Sequence, residues 1–284
     1  MKATLGLLLF IAIAATLSPG QQAEGSFERL LHVSGTTDLD VKTDSGGISV
    51  KAGPPGSLRI HAILKAQHDW FDSGDVQARI RELERNPPIE QNGNQVRVGY
   101  VHDQDLLRGI SMRFEIETPS DSRLRARADS GGIDVADVLG VVDCKTDSGG
   151  IHIQHVGSDV HAEADSGGIH ITGVKGSVYA RVDSGGIEAV DIVGRLDAQS
   201  DSGRLELSQT NPASIRARAN SGGIHVRLAP GAGYDISANV DSGRISVPEM
   251  TVNSAFSRHH IEGRIRGGGP LVSLRADSGG ITIE

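Results

Sequence analysis

The chain of 284 residues contains few of the residues that usually cross-link or fill a globular domain. Cys144 is its one cysteine, so no disulfide can form within the chain, and aromatic residues make up only 3% of the sequence. The fold must therefore be held together by aliphatic packing and backbone pairing. A formal net charge of −8 with scattered basic residues also argues against a nucleic-acid-binding protein.

Long apolar stretches are also missing, except at the start of the chain. An apolar run from Leu5 to Leu17 follows Lys2 and precedes small and polar residues up to Ala23. The run is short for a membrane span, and its layout predicts a signal peptide over residues 1–23. We therefore expect an exported protein, located in the periplasm, on the cell surface or in the medium. Retention of the segment as an N-terminal anchor stays open as the alternative.

Glycine is abundant, with 37 residues, and many of them belong to one recurring motif. The motif is Asp-Ser-Gly followed by Gly or Arg, with Asn in place of Asp once, and its nine copies begin at Asp44, Asp129, Asp147, Asp165, Asp183, Asp201, Asn220, Asp241 and Asp277. From Asp129 onward the successive spacings are 18, 18, 18, 18, 19, 21 and 36 residues. A recurring period of this kind indicates a repeat architecture.

Apolar and polar residues alternate within each 18-residue unit. In the unit that begins at Asp147, the apolar positions are Ile151, Ile153, Val156, Val160 and Ala162, with a second turn near Gly157. A period of two is typical of strands with one buried face. We expect the paired glycines of each motif to adopt positive φ, and the Asp and Ser side chains to accept hydrogen bonds from backbone N–H groups just ahead.

The pattern therefore predicts an all-β fold over residues 24–284. It is a β-solenoid, a single-stranded β-helix with 18-residue coils stacked at roughly 4.8 Å. Six continuous coils from Asp129 to Val247 would form a rod about 30 Å long.

Two segments interrupt the repeat. Residues 67–101 predict an insertion with a helix that begins near Ser73 and ends before Pro87, followed by a hairpin through Asn92-Gly93. Residues 248–270 predict an irregular excursion that replaces part of a coil before the last motif.

The order of these elements resembles the bacterial "putative adhesin" family of exported β-helix domains. The resemblance lies in TDSGGISV at residues 43–50, the helical interruption, MRFEIETPSDSRLRARADSGGIDV at 112–135 and LRADSGGITIE at 274–284. It covers residues 27–284 and implies a right-handed β-helix. The resemblance supplies no catalytic or ligand-binding residues.

The letters DSGG also surround the nucleophilic serine of chymotrypsin-like proteases, which raises the possibility of an enzyme. A serine nucleophile needs a histidine base and an oxyanion hole, and such a site is built once in a domain. Nine equivalent copies are typical of a turn. The sequence therefore predicts no enzyme and assigns no catalytic residue.

A calcium-stabilised β-roll stays open as an alternative, because the motif places carboxylates in a row. The stacked aspartates are Asp129, Asp147, Asp165, Asp183 and Asp201. Two such charges about 4.8 Å apart repel by roughly 0.9 kcal/mol in water and nearer 3.5 kcal/mol at an effective dielectric of 20. A hydrogen bond to each carboxylate contributes about 1.5–3 kcal/mol, so the row tolerates a cation without requiring one.

Histidines form a second candidate cluster. His152 and His170 occupy the same outward column one coil apart, and Asp134, Glu188 and Glu206 extend that column, whereas His161 points outward from the opposite sheet. A zinc or copper site is the alternative there to a solvated polar face. We assign no metal-ligating or cofactor-binding residue and expect no cofactor.

A carbohydrate-active enzyme on a β-helix is the remaining alternative. It would need carboxylates converging in a groove with aromatic platforms. Trp70 and Phe71 lie in the insertion, where we expect them to cover an end of the solenoid. The sequence favours a non-catalytic cell-envelope or surface scaffold that binds an unidentified protein or polysaccharide, with no nucleic-acid partner and no membrane span once the signal peptide is removed.

Overall fold

The computed structural model describes residues 24–67, 73–247, 251–257 and 259–284. The expected signal peptide over residues 1–23 lies outside these ranges, as do Trp70 and Phe71. None of the helices within these ranges is long and apolar enough to cross a bilayer.

Most of the described residues lie in strands. The strands are β1 (Glu24–His32), β2 (Asp38–Ser45), β3 (Ile48–Gly53), β4 (Ser57–Ala66), β5 (Ile89–Asn92), β6 (Gln95–Val98), β7 (Ile110–Pro119), β8 (Arg123–Ser130), β9 (Ile133–Ala136), β10 (Val142–Ser148), β11 (Ile151–Val156), β12 (Val160–Ser166), β13 (Ile169–Val174), β14 (Val178–Ser184), β15 (Ile187–Ile192), β16 (Leu196–Ser202), β17 (Leu205–Gln209), β18 (Ile215–Ser221), β19 (Ile224–Arg227), β20 (Tyr234–Ser242), β21 (Ile245–Ser246), β22 (Thr251–Phe256), β23 (His260–Ile265), β24 (Leu271–Ser278) and β25 (Ile281–Ile283). One α-helix, α1 (Ser73–Arg85), and a short 3₁₀ helix (Gln104–Leu107) complete the description.

The strands form two long sheets, and each coil contributes one strand to each sheet. Sheet 1 has the order β1-β4-β7-β3-β9-β11-β13-β15-β17-β19-β25-β21, and sheet 2 has the order β22-β23-β20-β24-β18-β16-β14-β12-β10-β8-β2-β6-β5. Equivalent residues of successive coils face each other across the parallel pairs, as Ile151 does with Ile133 and Ile169. The predicted all-β solenoid is confirmed.

The core is a thin aliphatic layer between the sheets. Sheet 1 contributes a column of isoleucines that are at most 1% exposed: Ile133, Ile151, Ile169 and Ile187. Sheet 2 contributes a column of small residues that are fully buried: Ala126, Cys144, Ala162, Ala180 and Ala198. Full burial of an isoleucine side chain stabilises a fold by about 1.5–3 kcal/mol, so repetition of these columns replaces the large aromatic core that the sequence lacks.

The corner from sheet 2 to sheet 1 needs glycine at the first of its two glycine positions. Gly149 has φ +145°, and a Cβ there would lie 2.2 Å from the carbonyl oxygen of Gly131 in the preceding coil. The second position does not adopt positive φ, and Arg204 occupies it in one coil. Only the first glycine thus meets the expectation of positive φ, because the backbones of adjacent coils touch there.

The expected hydrogen bonds from the corner side chains to their own backbone are not observed. In the part of the chain that the structure describes, no carboxylate of the row accepts from an N–H of its own turn. Backbone bonds between coils take that role, as Gly149 N donates to Ser166 O at 2.9 Å. The corner is therefore stabilised by the neighbouring coil and not by a self-contained turn.

The order of coils along the rod differs from their order along the chain at both ends. Coil β2–β3 lies between β6–β7 and β8–β9. Coil β24–β25 lies between β18–β19 and β20–β21. The expectation of six continuous coils from Asp129 to Val247 is therefore wrong at its last step, since the final coil of the chain is inserted there. These two coils, the first and the last along the chain, therefore each lie between two neighbouring coils. Neither of them forms an open edge of the rod.

Antiparallel strands and α1 close the N-terminal end. Strands β4 and β1 extend sheet 1 past β7, while β6 and β5 extend sheet 2 past β2. Helix α1 buries Ile80 and Leu83, and Glu84 at its C-terminal part accepts a hydrogen bond from Ser26 N at 2.9 Å on β1. The helix and hairpin predicted for the insertion are thus present.

The C-terminal end is closed by a hairpin. Residues 248–270, for which we expected irregular structure, contain β22 and β23, and β23 pairs antiparallel with both β22 and β20. The excursion therefore extends sheet 2 beyond the last coil.

Candidate functional surfaces

The Asp-Ser-Gly corners form a single exposed row along one edge of the solenoid. In sheet 2, Ser148 faces Ser130 on one side and Ser166 on the other, and all nine copies continue this register. Equivalent serines in a row do not single out one nucleophile. The corners form a structural edge of the solenoid, and the side chains beside them determine the charge of that edge.

A basic column accompanies the row of aspartates. Two residues before the Asp of the motif, six of the strands carry a basic side chain: Lys42, Arg127, Lys145, Arg181, Arg218 and Arg275. Lys42 Nζ lies 3.1 Å from Asp44 Oδ1, and this hydrogen bond raises the pKa of Lys42. The charge of the nearby Asp183 likewise raises the pKa of Arg181. The aspartates are therefore partly neutralised by the protein itself, which weakens the attraction for calcium.

The histidine column on sheet 1 is assembled as the register predicts. The rings of His152 and His170 stack with centroids 5.0 Å apart and planes 5° apart. His152 Nδ1 lies 3.4 Å from Asp134 Oδ1, and His170 Nδ1 lies 3.1 Å from Glu188 Oε2. Among the described residues, no three His, Cys, Asp or Glu side chains come together in a way that could hold a metal ion.

Three concavities lie in a row on the outer face of sheet 2, and together they are called the groove below. Their volumes are about 510, 410 and 140 Å³, the first two sharing Val141 and the last two sharing Arg195. Together they touch nine consecutive strands, from β6 to β24. At roughly 4.8 Å per strand the groove extends for about 38 Å.

Aspartate and arginine line this groove in equal number. The charged lining residues are Asp38, Asp40, Asp143, Asp159, Asp197, Arg97, Arg123, Arg125, Arg195 and Arg216. Several of them form ion pairs: Arg125 Nε lies 3.5 Å from Asp143 Oδ2, and Arg195 Nη2 lies 3.2 Å from Asp197 Oδ2. The groove thus carries no net charge, although the whole chain has −8.

Aromatic rings occupy the middle and one end of the groove. The rings of His161 and Tyr179 meet edge to face with centroids 4.7 Å apart in the middle. Near the β6 end, Tyr100 OH donates to Asp40 Oδ1 at 2.9 Å, and Arg97 lies 3.9 Å above its ring. Partial burial, followed by the hydrogen bond to Asp40, raises the pKa of Tyr100, so this phenol stays protonated and acts as a donor.

Comparison with known proteins places this architecture in a family. The family model described as Toastrack DUF4097 matches residues 85–284, which is more than half of the chain. The chain belongs to the Toastrack family. No curated protein sequence matches it.

Three solved structures that are similar to this chain carry adhesion names. A "putative adhesin" from Bacteroides fragilis is 14% identical, with 92% of this chain and 97% of that chain covered and a TM-score of 0.45. A "putative cell adhesion protein" from Clostridium sporogenes is 12% identical, with 91% and 99% covered and a TM-score of 0.29. A "putative adhesin" from Parabacteroides distasonis is 9% identical, with 92% and 97% covered and a TM-score of 0.31.

The groove of this Toastrack domain is the feature that the sequence analysis missed. The alternation places Asp143, His161, Tyr179 and Asp197 on the outer face, but it does not show that their column is concave. The one feature of the sequence that could have indicated the groove was Val141, an apolar residue beside the second turn. In the structure its side chain is 43% exposed. The carbohydrate-active alternative pointed to Trp70, whereas the observed groove lies on sheet 2 and receives from the insertion only residues of its hairpin strand β6.

Proposed function

We propose that this Toastrack domain is a non-catalytic, exported scaffold of the cell envelope or cell surface that binds an extended surface component along sheet 2. The groove from β6 to β24 is the observation that carries the proposal. Its length of about 38 Å suits an extended chain better than a small molecule. The short apolar run at residues 5–17 supports export.

The distribution of side chains supports binding without turnover. Catalysis requires a nucleophile or acid that is activated by specific neighbours at one place. The corner serines are equivalent by register, and the groove aspartates Asp143 and Asp197 are paired with arginines. Repetition over many coils favours an additive binding surface, in which each coil contributes a small share.

A variant that fills the groove tests the proposal. Ser177 is exposed in the middle of the groove, directly before β14, and lies between His161 on β12 and Arg195, which directly precedes β16. We expect Ser177→Trp to abolish binding of the tag-free protein to cell-envelope fractions in a co-sedimentation assay. Thr172→Trp is the matched control, because Thr172 is equally exposed on the outer face of sheet 1.

The outcomes of this assay are distinct. Both variants should retain the thermal midpoint of the parent, since both side chains point to solvent. Equal binding by Ser177→Trp and the parent would refute a role for the groove. Release of reducing sugar ends from the envelope fraction by the parent would refute the absence of catalysis.

A further inference from the structure

The middle of the groove contains a buried carboxylate, and one of its oxygens has no hydrogen-bond partner. Asp197 is 9% exposed, and its Oδ2 lies 3.2 Å from Arg195 Nη2 and 3.7 Å from Arg216 Nη1. Its Oδ1 is buried and has no hydrogen-bond partner among the described residues. A buried acceptor without a partner destabilises the fold, and a charged one does so more strongly. This oxygen is therefore a strong acceptor for a donor that a ligand brings.

An apolar surface lies beside this acceptor. Tyr179 is half-buried in the next strand, and its ring contacts His161. Val141, 43% exposed, continues the same side of the groove. Aromatic rings favour flat apolar faces, and the phenol and imidazole add polar edges. The middle of the groove thus combines a stacking surface with an acceptor and two guanidinium donors.

The charge of the groove limits the class of polymer that fits. Its five aspartates and five arginines balance, so a polyanion or a polycation would meet as much repulsion as attraction. A peptide strand that adds to a sheet gains affinity from backbone hydrogen bonds with the edge of that sheet. This groove runs across the strands on the face of sheet 2 and presents side chains instead of free backbone edges. Both observations disfavour a peptide strand.

We propose that the groove binds a neutral polysaccharide, with the subsite at Tyr179, Asp197 and Arg195 holding one sugar ring. The apolar face of the ring stacks on Tyr179, and a sugar hydroxyl donates to Asp197 Oδ1. Arg195 and Arg216 donate to other hydroxyl oxygens. Access to the buried Asp197 Oδ1 requires a neighbouring side chain to move, and Arg195, which is half exposed and pairs with the other oxygen of the carboxylate, is the candidate. This inference rests on the proposed function and names its ligand class.

Direct titration with purified polymers tests the ligand class. We expect the tag-free protein to bind neutral mannan or β-glucan in calorimetry and not to bind alginate, a polyanion. Binding of the neutral polymer should be nearly independent of salt, because exposed charge–charge attraction is screened by salt. Preference for alginate, with affinity that falls steeply as salt rises, would overturn the inference.

Two substitutions locate the subsite. Asp197→Asn and Tyr179→Ala should each weaken binding by about tenfold, because the first replaces a charged acceptor by a weaker neutral one and the second removes the stacking surface. Thr172→Ala on sheet 1 is the control and should bind as the parent does. If Asp197→Asn fails to fold, Tyr179→Ala still decides, since its side chain is not part of the core.

The envelope assay separates failure of this inference from failure of the proposed function. Periodate oxidation of the envelope fraction destroys vicinal diols of sugars, and we expect it to abolish the binding that Ser177→Trp also abolishes. Suppose that binding is sensitive to Ser177→Trp and to protease treatment of the envelope fraction but resistant to periodate. This result would overturn polysaccharide as the ligand class and leave the proposed scaffold function intact. Binding that ignores Ser177→Trp would overturn the proposed function itself.

Discussion

The two glycines of one corner offer a matched test of what holds the coils together. Gly149 has φ +145°, and an added Cβ would lie 2.2 Å from Gly131 O, which is backbone and cannot rotate away. For Gly150 the nearest atom is Cε1 of His152 at 3.3 Å, a side-chain atom that can move. The two positions are adjacent, and the substitution is the same at both. A difference in the free energy of unfolding between the two alanine variants therefore reports the positive φ at Gly149 and its contact with the preceding coil.

The expected difference follows from two contributions. A non-glycine residue in this backbone region costs about 1–3 kcal/mol. Separating the coils enough to relieve the clash weakens the hydrogen bond from Gly131 N to Ser148 O, which joins the same two coils and contributes about 0.5–1.5 kcal/mol. We therefore expect Gly149→Ala to lower the free energy of unfolding by about 2–4 kcal/mol. Gly150→Ala should change it by less than about 1 kcal/mol in either direction, because a compatible alanine also stabilises through the unfolded chain.

Urea unfolding followed by circular dichroism measures this difference. A repeat protein need not unfold in one step, so the midpoint and the slope are compared together for both variants. Thermal unfolding gives an independent check, with a drop of several degrees expected for Gly149→Ala alone. Equal midpoints for the two variants would show that the close approach of the coils does not set the need for glycine, and the account of the corner would be wrong.

Two further predictions concern titration and metal. Burial raises the pKa of the Cys144 thiol far above its usual range; the unfolded chain therefore releases this proton above about pH 8.5 while the folded chain keeps it, and the free energy of unfolding should fall by up to about 1.4 kcal/mol per pH unit there. Urea midpoints at neutral and alkaline pH should show this decline for the parent and a weaker one for Cys144→Ala. Because Asp44 already pairs with Lys42 at 3.1 Å and Asp277 with Arg275 at 3.1 Å, we expect chelation of calcium to leave the thermal midpoint unchanged. A fall of many degrees on chelation would instead establish the calcium-stabilised roll.

The repeat in the sequence was sufficient to predict the coil and its register. Parallel strands in register place equal offsets of successive units side by side, so the spacing of 18 residues already implies that Ile151 lies between Ile133 and Ile169. The stacking of His152 on His170 follows from the same rule. Positions that recur in every unit are therefore the ones that could be predicted.

Features that depend on differences between units could not be predicted in this way. The last coil carries the same corner as all others, so its motif does not reveal that it is inserted between β18–β19 and β20–β21. The groove arises where side chains beside the second turn leave space, which alternation of apolar and polar residues does not encode. The unpartnered oxygen of Asp197 depends on the positions of Arg195, which directly precedes β16, and of Arg216 on β18 in the next coil.

The closed ends and the open face of the rod have opposite consequences for binding. A stack of identical corners would elongate by adding another molecule at its edge, because an edge strand leaves backbone groups free. At the N-terminal end, however, Glu84 accepts from Ser26 N and Gln91 Nε2 donates to His32 O, so side chains of the insertion occupy backbone groups of β1. At the C-terminal end the hairpin of β22 and β23 extends sheet 2 beyond the coils. With the ends used for closure, the outer faces of the two sheets are the surfaces that grow with every coil. The groove lies on the face of sheet 2, and a polymer with repeating units is the kind of ligand that gains from such growth.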